Sequence, residues 1–347
     1  MSFSPDILHK LEQLQAKYDA LGQDLGSYLE GLLQADFLPY WDYVQLDVLL
    51  NLQKPRTAFE DEKIFILYHQ ITELYFKLCL NELAQLCRPD VHPSAATIEP
   101  QEALMRVERV NRYFDALAMS FSIMTDGMDP EQFLKFRMAL LPASGFQSAQ
   151  YREIEMHCTE LEQLVHRDFR GQLQAEATIE TLYAHIYWKQ GAMELQSGKK
   201  TLTLKQFEAK YDNILQARAA QLRGHTLASL WHRWSDGSAD SAGATSYAGP
   251  AGATSSAGPA EPSTTLQALA QALRILDHRV NVDWPLAHYR TAVRYLQRPT
   301  QDIAATGGTN WQQYLPPRMQ LRIFFPWLWT ESQIESWGKK DLLRDQP

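Results

Sequence analysis

The segment DEKIFILYHQITELYFKLCLNELAQL, residues 61–86, decides the fold class. Its apolar side chains recur every three or four residues, at Ile64, Leu67, Tyr68, Ile71, Leu74, Tyr75 and Leu78. This spacing places them along one face of an α-helix, because the helix completes a turn in 3.6 residues. Residues 61–86 are therefore predicted to form a long core helix whose apolar face packs against other helices.

The same helical period recurs along most of the chain. It is found in Leu104–Met124, Ala149–His166, Thr178–Gln196, Leu204–Trp234 and Leu266–Leu296. Alternating runs of Val, Ile and Thr between Asn-Gly or Asp-Gly turns are nearly absent, so no sheet is indicated. The predicted fold class is all-α, a bundle of long helices that forms one domain over residues 1–347.

One segment cannot contribute to a core. Residues 235–265 consist mainly of Ala, Gly, Ser, Thr and Pro, and they contain the near-duplicate units AGATSYAGP (242–250) and AGATSSAGP (251–259). Such a composition is typical of flexible chain, so we predict a disordered insertion loop between two helices, with a functional tether as the alternative.

Charge and composition narrow the function. The 347 residues carry a net charge of −8, so no basic surface indicates nucleic acid or an anionic membrane as partner. No apolar run approaches the roughly 18 residues of a membrane span, and the N-terminus does not resemble a signal peptide. We expect a cytoplasmic protein with a small-molecule ligand. The three cysteines, Cys79, Cys87 and Cys158, are predicted to be reduced core thiols.

Several polar residues occupy unusual surroundings. His69, Glu73 and Lys77 form a polar line along the 61–86 helix, which favours a hydrogen-bonded ridge between helices over a ligand site. His288 lies on an apolar and aromatic helix face together with Trp284, an environment that suits a buried planar cofactor. Spacing alone does not make His288 a ligand.

Arg137 stands beside three aromatic side chains, Phe133, Phe136 and Phe146. A guanidinium in such surroundings needs an anion. Two alternatives stay open, a bidentate clamp on a ligand carboxylate and a buried Asp or Glu partner. Two segments rich in small residues would let backbone approach a ligand: LPASGFQSAQYR (141–152) and AATGGTNW (304–311), which contains Thr306.

Read together, six blocks resemble the tryptophan 2,3-dioxygenase family of haem proteins, in the family's order. They are YWDYVQLDVLL (40–50), DEKIFILYHQITELYFKLCLNEL (61–83), FRMALLPASGFQSAQYREIE (136–155), WPLAHYRTAV (284–293), TGG (306–308) and IFFPWLW (323–329). The combination of these six blocks is a specific sign of the family, although residues 165–235 and the insertion show little resemblance to it.

The resemblance implies a haem b site. It makes His288 the axial ligand of the haem iron, with Trp284 in the same block, and it places Gly145 over the opposite haem face, leaving room for dioxygen. It makes Arg137 the clamp on the amino-acid carboxylate and Thr306 the partner of the substrate ammonium group.

The resemblance also implies an assembly. Tyr40 and Tyr43 belong to the block that, in the family, reaches into the pocket of a neighbouring subunit. A homotetramer is the expected state.

Two departures bear on the reaction. The family usually has His directly before the Asp-Glu of the 61–83 block, near the substrate's indole N–H, and this chain has Glu60 there. Phe133 stands where some members have Tyr. Glu60 could accept the indole N–H hydrogen bond, act as an acid or base, or face solvent.

Three hypotheses follow from these residues. The first is a tryptophan 2,3-dioxygenase that converts L-tryptophan and dioxygen to N-formylkynurenine, with Glu60 as a catalytic residue and Phe133 in the substrate pocket. The second is a haem monooxygenase or peroxide-using hydroxylase of tyrosine or a substituted tryptophan. The third is a protein that binds haem or an amino acid without catalysis.

Overall fold

The computed structural model describes residues 3–88, 98–173, 177–194, 198–236, 264–297 and 315–339. Backbone contacts divide the chain into two units, Met1–Lys54 and Pro55–Pro347. A single haem-binding domain over the whole chain stays a prediction.

The first unit contains, within residues 3–54, α1 (Pro5–Ala20), α2 (Leu25–Leu33), α3 (Tyr40–Tyr43) and α4 (Leu46–Leu49). Pro5 begins α1, where the missing N–H costs no hydrogen bond. Asp24 caps α2 by accepting hydrogen bonds from the N–H groups of Gly26 and Ser27. Most large apolar side chains of this unit are exposed, so its described residues form little core of their own.

The second unit contains the long helices and their connections. The helices are α5 (Asp61–Cys87), α6 (Pro100–Ser120), α7 (Ser122–Thr125), α8 (Pro130–Phe136), α9 (Ala149–Cys158), α10 (Leu161–Leu164), α11 (Arg167–Arg170), α12 (Ile179–Ala184), α13 (Tyr187–Gly191), α14 (Leu202–Leu222), α15 (Leu227–Ser235), α16 (Thr264–His278), α17 (Trp284–Leu296), α18 (Pro317–Gln320) and α19 (Glu331–Glu335). Short 3₁₀ turns occupy Arg137–Leu140, Gly145–Gln147 and Pro326–Leu328, and a π-helical turn, Arg279–Asp283, joins α16 to α17.

The core of the second unit lies between its long helices. α6 packs against α5 and α16, and α9 packs against α5 and α14. Apolar side chains from these helices form one continuous buried cluster, which includes Phe76, Leu83, Val107, Phe114, Ile154, Leu215 and Leu273. In the described residues β-structure is limited to two isolated bridges, Val165–Ile186 and Met193–Lys200. The all-α prediction is confirmed.

The helix predicted over residues 61–86 is confirmed, but the face predicted to be its core face is buried only in part, at Tyr68. The buried residues of α5 include Thr72, Phe76 and Cys79, whereas Ile71 and Leu74 are 40% and 52% exposed. α5 is apolar on more than one side, so spacing alone does not decide which side packs in the core.

Several other predicted helices are interrupted; the one expected over Thr178–Gln196, for example, divides into α12 and α13. The helix expected over Ala149–His166 ends at Cys158, because Thr159 adopts an extended conformation. The helix expected over Leu204–Trp234 breaks near Gly224, whose φ of +75° suits glycine. Thr226 then caps α15 by accepting a hydrogen bond from the N–H of Ser229. Local capping chemistry overrides the continuous apolar pattern.

All three cysteines are buried free thiols, as predicted. Burial raises the pKa of Cys79 and of Cys87, and the Cys87 thiol donates a hydrogen bond to the carbonyl oxygen of His157. These thiols are therefore protonated packing groups rather than nucleophiles.

Two predicted features fall outside the described residues. They are Thr306 with its TGG segment, and the insertion apart from its two ends, Ser235–Asp236 and Thr264–Thr265. Among the described helices, none combines the length and the apolar character that crossing a membrane requires.

Candidate functional site

His288 lies in the second turn of α17, after a first turn that contains Pro285. Its side chain is exposed, yet desolvation by the surrounding protein lowers its pKa to about 4, and the charge of nearby His69 adds to this shift. An exposed side chain that is nevertheless deep among protein atoms faces a concave space. The imidazole is neutral at pH 7, the form that binds a metal.

The surroundings of His288 fit a planar metal-bearing cofactor. Among the described residues no hydrogen bond to His288 contributes to its pKa. The ring of Phe121 lies 6.4 Å from the imidazole and 4.7 Å from the ring of Trp284, between centroids. A neutral imidazole nitrogen beside aromatic walls is the donor chemistry that haem iron uses. The residues present therefore fit the predicted cofactor.

Gly145 lies directly beside His288. It begins the 3₁₀ turn Gly145–Gln147, whose capping box pairs Ser144 with Gln147. A Cβ placed on Gly145 would lie 3.6 Å from Cε1 of His288.

The atom that such a Cβ would approach is a ring carbon of the imidazole, not one of its nitrogens. The prediction that Gly145 lies over the haem face opposite His288 stays a prediction.

His69 is the functional candidate that the sequence reasoning missed. Its Nδ1 atom lies 2.7 Å from the carbonyl oxygen of Phe65, and its ring lies 4.0 Å from the Phe65 ring. Desolvation lowers the pKa of His69, so the ring is neutral at pH 7. Because a carbonyl oxygen only accepts, Nδ1 carries the proton and Nε2 is left as an acceptor.

The predicted polar ridge is only partly present. Glu73 does join two helices, since Gln150 on α9 donates to its carbonyl and carboxylate oxygens at 2.9 and 2.8 Å. Lys77 is exposed, and His69 is close enough to His288 to lower its pKa. The i, i+4, i+8 spacing of this line could not separate a bridging residue from one that lines a pocket.

Arg137 begins the 3₁₀ turn that follows α8, and its side chain is 8% exposed. Desolvation lowers its pKa, yet a guanidinium stays charged at neutral pH. Two hydrogen bonds fasten the start of α8 to α5. The N–H of Asp129 donates to the Asp61 carboxylate at 2.6 Å, and the N–H of Asp61 donates to the Gln132 side chain at 3.2 Å. The first turn of α5 thus positions the segment that carries Arg137.

Phe133 contributes aromatic surface next to this segment. Its ring lies 6.3 Å from Phe65 on α5, 5.5 Å from Phe136 and 4.7 Å from Tyr295 on α17. The helices that carry His69 and His288, and α8, which leads into the turn with Arg137, therefore meet through one aromatic cluster.

Glu60 is exposed at the N-terminal boundary of α5. It precedes His69 by nine residues, a rise of about 13 Å along a helix. The adjacent Glu62 is buried instead. Its carboxylate accepts hydrogen bonds from the N–H groups of Arg56 and Thr57, which help to hold its pKa below the usual range against the opposing effect of burial.

The predicted roles of Tyr40, Tyr43 and Thr306 stay predictions. Tyr40 and Tyr43 lie on α3 in the first unit, where they are 70% and 79% exposed. Thr306 lies outside the described residues.

Comparison with known proteins gives a consistent result. The sequence model described as "Tryptophan 2,3-dioxygenase" matches residues 31–217, more than half of the chain. A tryptophan 2,3-dioxygenase of Ruegeria sp. (strain TM1040) is 40% identical over 121 residues, which cover 35% of this chain and 41% of that protein. The protein of that name from Bradyrhizobium diazoefficiens is 37% identical over 118 residues, 34% of this chain and 40% of that protein.

The similarity to these two relatives spans about two fifths of their length. A longer match is found with a tryptophan 2,3-dioxygenase of Bradyrhizobium sp. (strain ORS 278), which is 28% identical over 299 residues. These cover 84% of this chain and 91% of that protein.

Proposed function

The chain belongs to the tryptophan 2,3-dioxygenase family, and from this premise we propose that it is a haem-dependent dioxygenase of L-tryptophan. It would insert both atoms of dioxygen across the indole C2–C3 bond to give N-formylkynurenine. One observation carries the proposal: two imidazoles with lowered pKa values each lie against an aromatic ring, His288 at 6.4 Å from Phe121 and His69 at 4.0 Å from Phe65, and the charge of His69 acts on His288.

His288 would hold haem b through a ring nitrogen. Its lowered pKa supports this role, because a proton on that nitrogen would compete with iron. When bound, haem supplies the dioxygen chemistry, and the protein supplies orientation and exclusion of water.

His69 would orient the indole ring. With Nδ1–H committed to the carbonyl oxygen of Phe65, its Nε2 can accept a hydrogen bond from the indole N–H. Phe65 and Phe133, whose rings lie 6.3 Å apart, offer apolar surface for the ring face.

Arg137 and Thr306 would bind the amino-acid end of the substrate. A buried guanidinium pairs with a carboxylate through two parallel hydrogen bonds, which fixes the position of the α-carbon. Thr306 would accept a hydrogen bond from the ammonium group. Holding both ends of tryptophan restricts the indole ring to one orientation.

Glu60 is now the second candidate, after His69, for the residue that contacts the indole ring. Its exposure supports the alternative in which it faces solvent. The hydroxylase hypothesis depended on a carboxylate at the reacting ring, and the geometry of α5 favours His69 for that place.

The proposal includes an oligomeric state, a homotetramer, and a cellular location, the cytoplasm. The exposed rings of Tyr40 and Tyr43 suit a role in a neighbouring subunit's pocket within a homotetramer. A cytoplasmic location agrees with the family's substrates, a free amino acid and dioxygen.

The test uses haem-loaded protein that has been reduced without air. Adding L-tryptophan and ¹⁸O₂ should produce N-formylkynurenine with two labelled oxygen atoms. One labelled atom would instead support a monooxygenase. Substrate binding without turnover would support the non-catalytic alternative.

A further inference from the structure

A cluster of five buried polar side chains lies beside the His288 site. We call Tyr151, Arg152, Glu155, Tyr187 and Arg322 the arginine cluster; none of its members is more than 8% exposed. The Tyr187 hydroxyl donates to Glu155 at 2.6 Å and accepts from Arg152 and Arg322 at 2.6 and 2.7 Å. Arg322 also forms an ion pair with Glu155. Both guanidinium groups form ion pairs with Glu155, and such a buried network favours one arrangement of its members.

The first link from this cluster reaches the π turn that precedes α17. The Tyr151 hydroxyl donates to the carbonyl oxygen of Val280 at 2.9 Å, and Arg322 donates to the same hydroxyl at 3.3 Å. A π turn pairs residues i and i+5, so it disturbs the regular sequence of α-helical hydrogen bonds. Tyr151 satisfies a carbonyl oxygen inside this irregular turn.

The π turn determines which way His288 points. On α16, Leu269, Leu273 and Leu276 are fully buried and mark the core side. At about 100° per residue, an unbroken α-helix would place His288 roughly 100° around the axis from Leu269. A π turn accommodates one extra residue, which reduces this offset to about zero. The turn therefore places His288 on the same side of the α16–α17 helix axis as Leu269.

The second link reaches the turn that begins at Gly145. Arg152 donates to the carbonyl oxygen of Phe146 at 3.4 Å, and its guanidinium carbon lies 5.5 Å from the centre of the Phe146 ring. Phe146 directly follows Gly145, where an added Cβ would lie 3.6 Å from Cε1 of His288. The arginine cluster thus contacts both the π turn that precedes α17 and the turn next to His288.

We propose that Tyr151 is a positioning residue for His288, which fixes the register of the π turn through its hydrogen bond to Val280. The cluster then holds the imidazole at the angle that haem iron requires. This role rests on the proposed function, since it concerns the haem ligand.

The test compares two conservative variants of the full-length, haem-loaded protein. Tyr151→Phe removes only the hydroxyl that reaches Val280. Tyr183→Phe is the matched control, because Tyr183 is also buried and its hydroxyl donates a hydrogen bond to Asp212 on α14 at 3.1 Å. The loss of haem to a haem-scavenging apoprotein is measured by absorbance, together with the ligand-field bands of the ferric protein.

Haem loss from Tyr151→Phe should be about fivefold faster than from wild type, the effect of one net hydrogen bond, and its ligand-field bands should shift. Tyr183→Phe should match wild type in both measurements. Equal behaviour of the two variants would overturn the positioning role while leaving the proposed function intact. A wild-type protein that takes up no haem would overturn the proposed function as well.

A second measurement does not require haem. Amide hydrogen exchange across residues 279–283 should be faster in haem-free Tyr151→Phe than in haem-free Tyr183→Phe, because only the first variant loses a hydrogen bond to the π turn. Identical exchange in the two variants would contradict the role.

Discussion

The Nδ1 atom of His69 lies 2.7 Å from the carbonyl oxygen of Phe65, one helical turn earlier on α5. This contact assigns the proton of a neutral imidazole to Nδ1 and leaves Nε2 as an acceptor. Under the proposed function, this half-buried acceptor would bind the indole N–H of L-tryptophan. Recognition of the ring would then depend on a backbone contact within α5 itself.

The first prediction tests this acceptor. Replacing His69 with Phe should lower kcat/KM for L-tryptophan by roughly 5- to 100-fold, because the indole N–H loses its partner in a desolvated site. With 1-methyl-L-tryptophan, which has no N–H, the difference between variant and wild type should nearly disappear. An equal loss for both substrates, measured by product absorbance, would show that His69 acts in another way.

The second prediction concerns Arg137. Arg137→Met should raise KM for L-tryptophan by roughly 10- to 100-fold, since a charge-assisted pair with the substrate carboxylate is lost. Tryptamine, which lacks the carboxylate, should react equally with variant and wild type. Arg137→Lys keeps the charge but not the planar two-point geometry, so its KM should lie between the two. A tryptamine reaction that is impaired as strongly as the tryptophan reaction would contradict the clamp.

The third prediction separates Glu60 from the site. Because Glu60 is exposed, Glu60→Gln and Glu60→His should both keep the rate of tryptophan cleavage within about twofold of wild type. Steady-state assays with both variants suffice. A clear gain of tryptophan cleavage in Glu60→His would instead indicate that residue 60 contacts the reacting indole ring.

The fourth prediction concerns stability and pH. His157 on α9 is 4% exposed, and burial lowers its pKa from 6.5 to about 4. Between these values the unfolded chain binds more protons than the folded one, so stability falls as the pH drops from 6.5 toward 4. From pH 7.5 to pH 5 this contribution is about 2 kcal/mol.

The contribution of His157 is tested by measuring the free energy of unfolding in urea for wild type and for His157→Gln at pH 7.5 and at pH 5. The variant should lose about 2 kcal/mol less than wild type over the same pH interval. Parallel losses in the two proteins would mean that His157 is already protonated in the folded state or solvated there.

The sequence predicted the α-helical class and α5 almost to the residue, because apolar periodicity reports helices directly. It did not predict the break at Thr159 or the buried face of α5, since capping and partner choice depend on tertiary packing. The π turn Arg279–Asp283 was not predicted from the sequence either. Tyr151 bonds the carbonyl of Val280, 129 residues later, and no local pattern reports a contact of that range.

The candidate site was predicted unevenly for the same reason. His288 and Arg137 were singled out by their apolar or aromatic context, whereas their roles as iron ligand and carboxylate clamp were implied by the family resemblance and stay predictions. His69 was assigned to a ridge, because its spacing from Glu73 and Lys77 fits a ridge equally well. Only the fold shows that His69 influences the pKa of His288.

The central claim is that His288 binds haem beside a pocket for L-tryptophan. The most direct measurement is the absorption spectrum of the haem-supplemented protein, recorded with and without L-tryptophan. The account predicts a Soret band that shifts when L-tryptophan is added. Absence of a Soret band after haem supplementation would contradict it.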